Sequence, residues 1–395
     1  MPIPFVVFTD GPGLPTGLAR IGRDLASRLY AEQDSLGIEL LQVGFDPKPR
    51  SSRNVPWPTY ALAELHSEGD WGAADLQECW AEFFFQHASE QAGIIFSIWD
   101  PSRAYSLLNL QSGERQLWGY MPIDGWNVRG SIGGPAREAV ARYDRVLAYG
   151  RWGAQVLATI RQPVPYLPHG LDLHTWTPGH PQEWLAQASE ALRLKDGNWT
   201  LGCVATNQPR KDLGLYFATL AELRKRGEKV RGWLHTDLPV RAWAVSQLAE
   251  DFGLTRHVSV TLSLDDHVLS AAYSLCGATV APGLGEGFGY PIVESLACGT
   301  PVVHGDYAGG RELVPLNAWR IPYRAERLEG VYAIKRPVFD PVDAANAVMR
   351  AVEWKRGDEV VCQQYCVGSV AHLGWERIWS RWRSWFKQGI EAYRG

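Results

Sequence analysis

Two glutamates, Glu286 and Glu294, stand eight positions apart in the stretch EGFGYPIVESLACGTPVV, residues 286–303. A carboxylate can accept hydrogen bonds from two neighbouring hydroxyl groups, which matches the vicinal diols of a ribose or a hexose. Glu286 belongs to a glycine-rich loop, and Glu294 is expected about one turn into the helix that follows. Both carboxylates are therefore predicted to face one cleft. Taken alone, so short a motif equally fits a surface glutamate followed by a capping glutamate.

The loop around Glu286 has the composition of a phosphate-binding loop. Gly285, Gly287 and Gly289 lack a Cβ, so backbone N–H groups there can approach a ligand closely. The next helix is expected to begin near 290–291 with a proline in its first turn, where no amide hydrogen bond is lost. The positive end of that helix favours a phosphate group at the same loop.

A second stretch, TNQPRKD at 206–212, follows a predicted strand and opens a predicted helix. Arg210 and Lys211 would place two adjacent cations beside this helix N-terminus. Charge-assisted hydrogen bonds of this kind contribute about 1.5–3 kcal/mol each, and the helix dipole adds to them. The stretch therefore predicts a pyrophosphate site, although an isolated Arg-Lys pair is more often a solvated surface.

The first strand-to-helix turn, DGPGLPTGLARIGR at 10–23, is also rich in glycine. It lacks the G-x-G-x-x-G spacing of a dinucleotide-binding loop, and no acidic residue closes the second strand in the dinucleotide manner. The turn therefore does not favour a dehydrogenase.

The elements that must position these residues alternate along the chain. In the first half, helices are expected near 17–31 and 72–91, between buried strands at 3–8, 37–45, 93–99, 115–123 and 145–149. In the second half, strands are expected at 199–205, 229–235, 257–262, 278–282 and 301–305.

Short apolar strands that alternate with helices indicate a parallel sheet covered on both faces. The pattern stops at 163–181, a stretch dense in proline and glycine that we interpret as a linker, and then restarts. We therefore predict an α/β fold with two doubly wound domains, residues 1–170 and 171–357. In such folds a ligand binds at the carboxyl ends of the strands.

The composition excludes several classes of protein. With 395 residues, 46% of them apolar and 21% charged, the chain is typical of a soluble globular protein. A net charge of −4 argues against a chain dominated by binding to a nucleic-acid backbone.

Cys362 and Cys366 stand four positions apart, but without a second pair at ligand spacing we predict reduced thiols rather than a metal site. The chain shows neither a signal peptide nor the ~18 apolar residues of a spanning helix, so we expect a cytoplasmic protein.

The C-terminal tail, 358–390, is predicted to be mostly helical. Trp375, Trp379, Trp382 and Phe386 recur at helical spacing, with arginines elsewhere on the same helix. Such a helix could lie on a membrane surface. Packing against its own protein is favoured, because apolar stripes of this kind usually belong to a core.

Four stretches together resemble the retaining, nucleotide-sugar-dependent glycosyltransferases of family 4, which have the two-domain GT-B fold. They follow that family's order along the chain: PHGLDLHTWTP (168–178), NQPRKD (207–212), EGFGYPIVESLACGTPVV (286–303) and HLGWERIWSRW (372–382). The third resembles the family's E-x7-E signature. The resemblance runs over nearly the whole chain and is weakest over about 46–92. It implies two Rossmann-like domains that face a central cleft, with 358–395 crossing back to the N-terminal domain.

The resemblance implies a role for each matching residue of the donor domain. Glu286 would hold the sugar, together with the backbone of Gly287, Phe288 and Gly289. Glu294 would hold the ribose. Arg210 and Lys211 would hold the diphosphate. Thr206 departs from the pattern, since many members have an arginine there. Arg210 would take over that charge, or the diphosphate would be held less tightly.

In the N-terminal domain, the resemblance implies that Gly13 and Gly17 let the first loop approach the donor and the acceptor. Asp124 falls where many members place a histidine or an aspartate near the sugar, and it joins Glu286, Arg210 and Lys211 as a candidate catalytic residue. The implied reaction is sugar transfer to a hydroxyl group with retention at the anomeric carbon. No D-x-D motif is present to hold a metal, so a metal-independent reaction without a cofactor is expected.

The acceptor is not identified by the sequence. Aromatic residues beside arginines suit stacked bases or sugar rings, and such residues in the N-terminal domain are Trp99, Arg103, Trp126, Arg129, Arg50 and Arg53. A hydroxylated base in nucleic acid, a glycan, a lipid-linked sugar and a small metabolite all remain open. These residues equally fit loop packing and solvated charge. A sugar-nucleotide epimerase and a non-catalytic binding protein of the same fold are the alternatives to a transferase.

Overall fold

The computed structural model of this chain describes residues 1–46, 55–62, 71–84, 92–194, 197–238 and 243–395. These residues form two compact units. Unit 1 consists of Met1–Gly170 and Trp379–Gly395, and unit 2 consists of Leu171–Ile378.

Unit 1 is built from strands and helices that alternate. In chain order they are β1 (Ile3–Asp10), α1 (Gly17–Ala31), α2 (Gln33–Leu36), β2 (Ile38–Phe45), β3 (Thr59–Leu62), α3 (Ala73–Phe83), β4 (Gly93–Ile98), α4 (Pro101–Ala104), β5 (Arg115–Met121), α5 (Gly134–Arg142), β6 (Arg145–Ala148) and α6 (Arg151–Leu157). Among the described residues, the six strands form one parallel sheet in the order β3-β2-β1-β4-β5-β6.

Unit 2 repeats this arrangement. Its elements are α7 (Gln182–Leu192), β7 (Trp199–Val204), α8 (Leu213–Lys225), β8 (Val230–His235), α9 (Val245–Asp251), β9 (Val258–Thr261), α10 (Asp266–Ser274), β10 (Ala278–Ala281), α11 (Tyr290–Ala297), β11 (Val302–Gly305), β12 (Arg320–Ile321), β13 (Tyr323–Glu329), β14 (Ile334–Phe339), α12 (Pro341–Gly357), α13 (Glu359–Val370) and the start of α14 (Trp375–Arg394). Six of the described strands form a parallel sheet in the order β12-β11-β10-β7-β8-β9.

Both sheets are doubly wound, which confirms the predicted fold class. The chain leaves the first strand of each unit in one direction and returns to its other side with the fourth, so β1 lies beside β4 and β7 lies beside β10. At this switch point the loops after the two central strands diverge and leave a crevice, where ligands of such folds bind. In unit 1 the crevice is formed by the loops after Asp10 and Ile98, and in unit 2 by the loops after Val204 and Ala281.

The central strands are placed by their apolar runs. In β4 all six residues are buried, and in β1 seven of the eight are buried. A strand buried on both faces is a continuous apolar run in the sequence, which is why these strands could be located within one or two residues.

Thr16 caps the N-terminus of α1, since its Oγ1 accepts a hydrogen bond from the backbone N–H of Ala19 at 3.0 Å.

Two parts of the fold were not predicted. The edge strands β3 and β12 have only four and two residues, which is too short to stand out as apolar runs. The antiparallel pair β13–β14 is a separate ribbon in which β13 is exposed along almost its whole length. Its residues, YRAERLE, show no apolar periodicity from which a strand could be inferred.

The C-terminal helices correct one predicted boundary. Residues 358–395 were expected to return to the N-terminal domain, but only those from Trp379 onward belong to unit 1. The segment before Trp379 stays in unit 2, because α13 packs against α11 and α12. Beyond that point α14 completes the core of unit 1: the ring of Phe386 lies 5.9 Å from that of Phe5 and 5.2 Å from that of Phe96.

The apolar stripe of α14 is therefore a packing surface, as favoured from the sequence. Trp382 and Phe386 are completely buried, and the indole nitrogen of Trp382 donates a hydrogen bond to the carbonyl oxygen of Pro168 at 3.2 Å. None of the helices in the described residues combines the length and the hydropathy that a membrane-crossing segment requires.

Candidate functional site

The crevice of unit 2 brings together the cationic stretch 206–212 and the acidic stretch 286–303, both singled out in the sequence. The Nζ atom of Lys211 lies 2.5 Å from Oε1 of Glu286, and Nη1 of Arg210 lies 3.7 Å from Oε2 of the same carboxylate. The two loops are also joined by two hydrogen bonds to backbone carbonyl groups. Nη1 of Arg210 donates to the carbonyl oxygen of Gly285 at 3.2 Å, and the N–H of Leu284 donates to the carbonyl oxygen of Arg210 at 2.8 Å. One carboxylate is thus flanked by two cations in this crevice.

Glu286 is charged although it is buried. Only 8% of the residue is exposed, and burial by itself raises the pKa of a carboxyl group. The charges of Lys211 and Arg210, together with the hydrogen bond from Lys211, outweigh this effect and lower the pKa of Glu286 to about 2. The three side chains therefore form a charged cluster with a net charge of about +1 at neutral pH.

His304, at the third position of β11, lies behind this cluster and was not found from the sequence. It is completely buried, and its Nδ1 lies 2.7 Å from the carbonyl oxygen of Ala281, which fixes the proton on that nitrogen. Burial lowers the pKa of His304, so the ring is neutral. A Cβ on Gly310 would lie 2.4 Å from Nε2 of His304 and 3.2 Å from Cβ of Glu286, so this glycine allows the ring and the glutamate to pack closely. No sequence motif marked His304, because its position beside Glu286 depends on which strands are neighbours in the sheet.

The loop that carries Glu286 requires glycine where it enters α11. Gly289 has φ = +105°, a backbone conformation that favours glycine, and a Cβ there would lie 3.0 Å from Cδ1 of Ile292. The preceding Phe288 is buried, with its ring centroid 5.6 Å from that of Tyr290. The sharp turn at Gly289 therefore fixes where Gly287 and Phe288 present their backbone groups.

Glu294 is anchored separately from Glu286. It lies in the second turn of α11 and is buried, with 4% exposed. Its Oε2 accepts a hydrogen bond from the hydroxyl group of Tyr273 in α10 at 3.0 Å. The predicted contact of Glu294 with a ribose stays a prediction.

The turn before α8, predicted from the sequence to bind phosphate, is short. Pro209–Lys211 form one 3-10 turn, and Asp212, with φ = +45°, caps α8 by accepting a hydrogen bond from the N–H of Leu215 at 3.2 Å. Thr206 lies exposed at the start of this turn, where its carbonyl oxygen accepts a hydrogen bond from the N–H of Gln208 at 2.9 Å.

In unit 1, the predicted glycine loop leads from β1 into α1. Gly17 is the first residue of α1, and Gly13 is half-buried in the preceding turn. Thr16 donates a hydrogen bond to Oδ2 of Asp10 at 2.5 Å. Burial raises the pKa of Asp10, while the hydrogen bond from Thr16 and the charge of Arg103 act in the opposite direction.

The expectation that Trp99 offers a stacking surface is not met. The residue is 3% exposed, and its ring packs against Phe8 at 6.0 Å and Phe45 at 5.5 Å. The guanidinium carbon of Arg103 lies 4.9 Å from the ring centroid of Trp99 and 4.4 Å from that of Trp71. Trp99 is a core residue, because the large apolar ring is better buried than exposed, whereas the half-buried Arg103 lies at the edge of this core.

The other acceptor candidates are dispersed over the loops of unit 1. Trp126 is half-buried against Trp152, with 5.2 Å between the ring centroids. Arg129 is exposed in a turn closed by Asn127, and Asp124 is half-buried in the loop after β5. Arg50 and Arg53 lie outside the described residues. Within the described part of the chain, no group of three or more His, Cys, Asp or Glu side chains could hold a metal ion.

Comparison with known proteins adds to this geometry. Residues 187–321 match the family model of the glycosyl transferases group 1. A D-inositol 3-phosphate glycosyltransferase of Frankia alni is 29% identical over 215 residues, which cover 52% of this chain and 48% of that protein. A GDP-mannose-dependent alpha-(1-6)-phosphatidylinositol monomannoside mannosyltransferase of Mycolicibacterium smegmatis is 27% identical over 211 residues, which cover 51% and 52% respectively. The chain spans about half the length of these two relatives.

Among solved structures, sucrose-phosphate synthase from Thermosynechococcus elongatus is similar over 99% of this chain and 100% of that one, with a TM-score of 0.76. At 17% identity this similarity concerns the fold alone. The two Rossmann-like units are thus those of the GT-B fold.

Proposed function

We propose that the chain, whose residues 187–321 match the family model of the glycosyl transferases group 1, moves a sugar from a nucleoside-diphosphate sugar to a hydroxyl group of an acceptor. The observation that carries this proposal is the cluster in unit 2, where Glu286 stands between Lys211 and Arg210 at the switch point of the sheet. Two cations suit a diphosphate, and a carboxylate beside them suits the hydroxyl groups of a sugar.

In the proposed reaction, the bond between the anomeric carbon and the diphosphate oxygen breaks, and the electron pair leaves with the diphosphate. A hydroxyl oxygen of the acceptor forms the new bond to the anomeric carbon and gives up its proton to the departing diphosphate. Arg210 and Lys211 stabilise the negative charge that develops on the leaving group. Because they are fixed beside it before the reaction begins, the protein does not have to reorganise around the new charge.

Glu286 has two roles in this proposal. With a pKa of about 2 it stays ionised throughout the neutral range, so it can accept hydrogen bonds from sugar hydroxyls. It also keeps Lys211 in place when no ligand is bound. Glu294 would accept the ribose hydroxyls, and the backbone of Gly287, Phe288 and Gly289 would contact the sugar.

Retention at the anomeric carbon and independence of metal ions belong to the same proposal. Arg210 and Lys211 supply the positive charge that a metal ion provides in other transferases. Asp124 of unit 1 is retained as a candidate catalytic residue. No nucleophile is assigned, because the acceptor is proposed to attack on the face from which the diphosphate leaves.

For the acceptor, we propose a hydroxyl group of a cyclitol or a sugar. The two relatives reported above are named for inositol phosphate and for a phosphatidylinositol mannoside. Neither name supports a base of a nucleic acid as the acceptor, which the sequence left open.

The proposal is tested by incubating the protein with a panel of UDP-, GDP-, ADP- and dTDP-sugars and measuring the free nucleoside diphosphate that is released, with and without inositol phosphates or simple sugars. One donor is expected to release its diphosphate slowly alone and faster with an acceptor, also in the presence of a chelator. Interconversion of the sugar without any release would indicate an epimerase. Binding without any chemistry, even with acceptors present, would indicate a non-catalytic protein.

A further inference from the structure

The turn that carries Arg210 and Lys211 is held in place by a buried asparagine. Asn207 is 1% exposed and pairs its side-chain amide with the backbone of Trp243 in both directions. Its Nδ2 donates to the carbonyl oxygen of Trp243 at 2.9 Å, and the N–H of Trp243 donates to its Oδ1 at 3.0 Å. A side chain thus replaces the backbone pairing that a strand would provide.

Two further contacts complete this attachment. The backbone N–H of Asn207 donates to Oδ1 of Asp237 at 2.6 Å, just after the end of β8. The indole nitrogen of Trp243 donates to the carbonyl oxygen of Gln208 at 3.2 Å, and a Cβ on Gly214 would lie 3.3 Å from the same ring. The turn is therefore fastened to the loop after β8 at two successive residues, Asn207 and Gln208.

The far end of the turn is fastened independently. The carbonyl oxygen of Arg210 accepts from the N–H of Leu284, in the loop that carries Glu286. Lys211 follows directly after this second anchor and before the capping residue Asp212. With both ends fixed, the backbone of Lys211 has little freedom, although a lysine side chain by itself is flexible.

We propose that Asn207 is a positioning residue for the diphosphate site: through Trp243 and Asp237 it fixes the turn so that Lys211 stands beside Glu286 before a ligand binds. This inference rests on the proposed function, since it assumes that Lys211 holds a diphosphate. Fixing a binding group in its bound position raises affinity because less freedom is lost on binding, and a misplacement of about 1 Å can cost about 100-fold in rate.

The test measures the dissociation constants of UDP and GDP, as probes, for the full chain carrying Asn207→Ala. The matched control is Ser259→Ala on the edge strand β9, which removes a buried hydroxyl group that donates a hydrogen bond to the carbonyl oxygen of Leu192 at 3.1 Å. Asn207→Ala is expected to raise the dissociation constant of the better-bound nucleotide about tenfold or more, because the turn is no longer preorganised. Ser259→Ala is expected to lower the melting temperature by a similar amount but to leave the dissociation constant within about twofold of that of the unmodified protein. A change of less than about twofold for Asn207→Ala would overturn the proposal.

A double-mutant cycle separates positioning from a general loss of stability. If Asn207 acts through Lys211, Asn207→Ala adds little to the effect of Lys211→Ala on nucleotide affinity. Fully additive effects of the two substitutions would overturn the proposal. If Lys211→Ala alone leaves the affinity unchanged, the proposed function itself fails, which is a different result from an inert Asn207.

A second pair of variants covers the case in which Asn207→Ala does not fold. Asp237→Asn keeps an oxygen acceptor for the N–H of Asn207, whereas Asp237→Ala removes it. Nucleotide affinity is expected to fall for the alanine variant and to be kept by the asparagine variant. Equal affinities of the two variants would contradict the attachment through Asp237.

Discussion

At the scale of single residues, Glu286 keeps its charge in a buried position because Lys211 and Arg210 stand beside it. The sequence suggested a role for each of these residues but not their ion pair, since Lys211 and Glu286 are 75 positions apart. The pair forms because β7 and β10 are neighbours in the sheet. Strand order depends on contacts between distant parts of the chain, which a local motif does not record.

The first prediction concerns the leaving group. Lys211→Ala is expected to lower kcat about 100- to 1,000-fold, because one preorganised positive group is lost from the developing diphosphate. Lys225→Ala, at an 82% exposed side chain at the end of α8, is the matched control and is expected to have no measurable effect. The measurement is the initial rate of diphosphate release at saturating donor. A loss smaller than tenfold for Lys211→Ala would remove its assigned role.

The second prediction concerns acidity. Because the pKa of Glu286 is lowered from 4.5 to about 2 in the fold, the ionised carboxylate stabilises the folded state above pH 4.5, and this contribution disappears as the pH falls towards 2. Glu286→Gln cannot ionise, so it is expected to lower the free energy of unfolding at pH 6. The difference from the unmodified protein should shrink below pH 4.5. Urea unfolding of both proteins between pH 6 and pH 3 measures this difference in the free energy of unfolding. A difference that stays constant with pH would contradict the assigned charge state.

At the scale of elements, the apolar strands could be predicted closely from the sequence, whereas the ribbon β13–β14 could not. A strand buried on both faces is an uninterrupted apolar run, but an exposed ribbon such as YRAERLE has no such run. Trp99 failed as a predicted stacking surface for a related reason. A tryptophan next to an arginine looks the same in the sequence whether its ring is open or, as here, covered by Phe8 and Phe45.

The third prediction concerns the turn into α11. Gly289→Ala forces a residue with a Cβ into φ = +105° and against Ile292, so it is expected to cost about 1–3 kcal/mol of the free energy of unfolding and to weaken donor binding. Gly368→Ala is the control, since this helical glycine of α13 has open space around it and alanine there should stabilise by about 0.5–1 kcal/mol. Chemical denaturation measures both. Equal effects of the two substitutions would contradict the conformation assigned to Gly289.

At the scale of the whole molecule, each unit has its own doubly wound sheet, and the cation–carboxylate cluster lies entirely within unit 2. The core of unit 1 is completed by the end of the chain, since Phe386 packs against Phe5 and Phe96. The sequence indicated this return through the resemblance of residues 372–382 to the closing helix of the glycosyltransferase family. It could not show where the return begins, because α13 and α14 are both helical and the packing partners decide to which unit each belongs.

The fourth prediction separates the two units. Phe386→Ala is expected to cost about 3–5 kcal/mol of the free energy of unfolding, as a completely buried ring is replaced by a cavity. Nucleotide affinity at temperatures where the protein stays folded should be unchanged, because the cluster belongs to the other unit. Lys387→Ala, at the neighbouring side chain with 60% exposed, is the control and should change neither quantity. Loss of nucleotide affinity in folded Phe386→Ala would contradict this separation.

The central claim is that Lys211 and Glu286 form part of a sugar-nucleotide site, and thermal unfolding in the presence of sugar nucleotides tests it most directly. A donor at 100 times its dissociation constant should add ~2.7 kcal/mol of stability to the unmodified protein. For Lys211→Ala the same donor concentration should add much less, because its affinity is reduced. If no sugar nucleotide raises the melting temperature, or if one raises it equally in both proteins, the cluster is not the donor site.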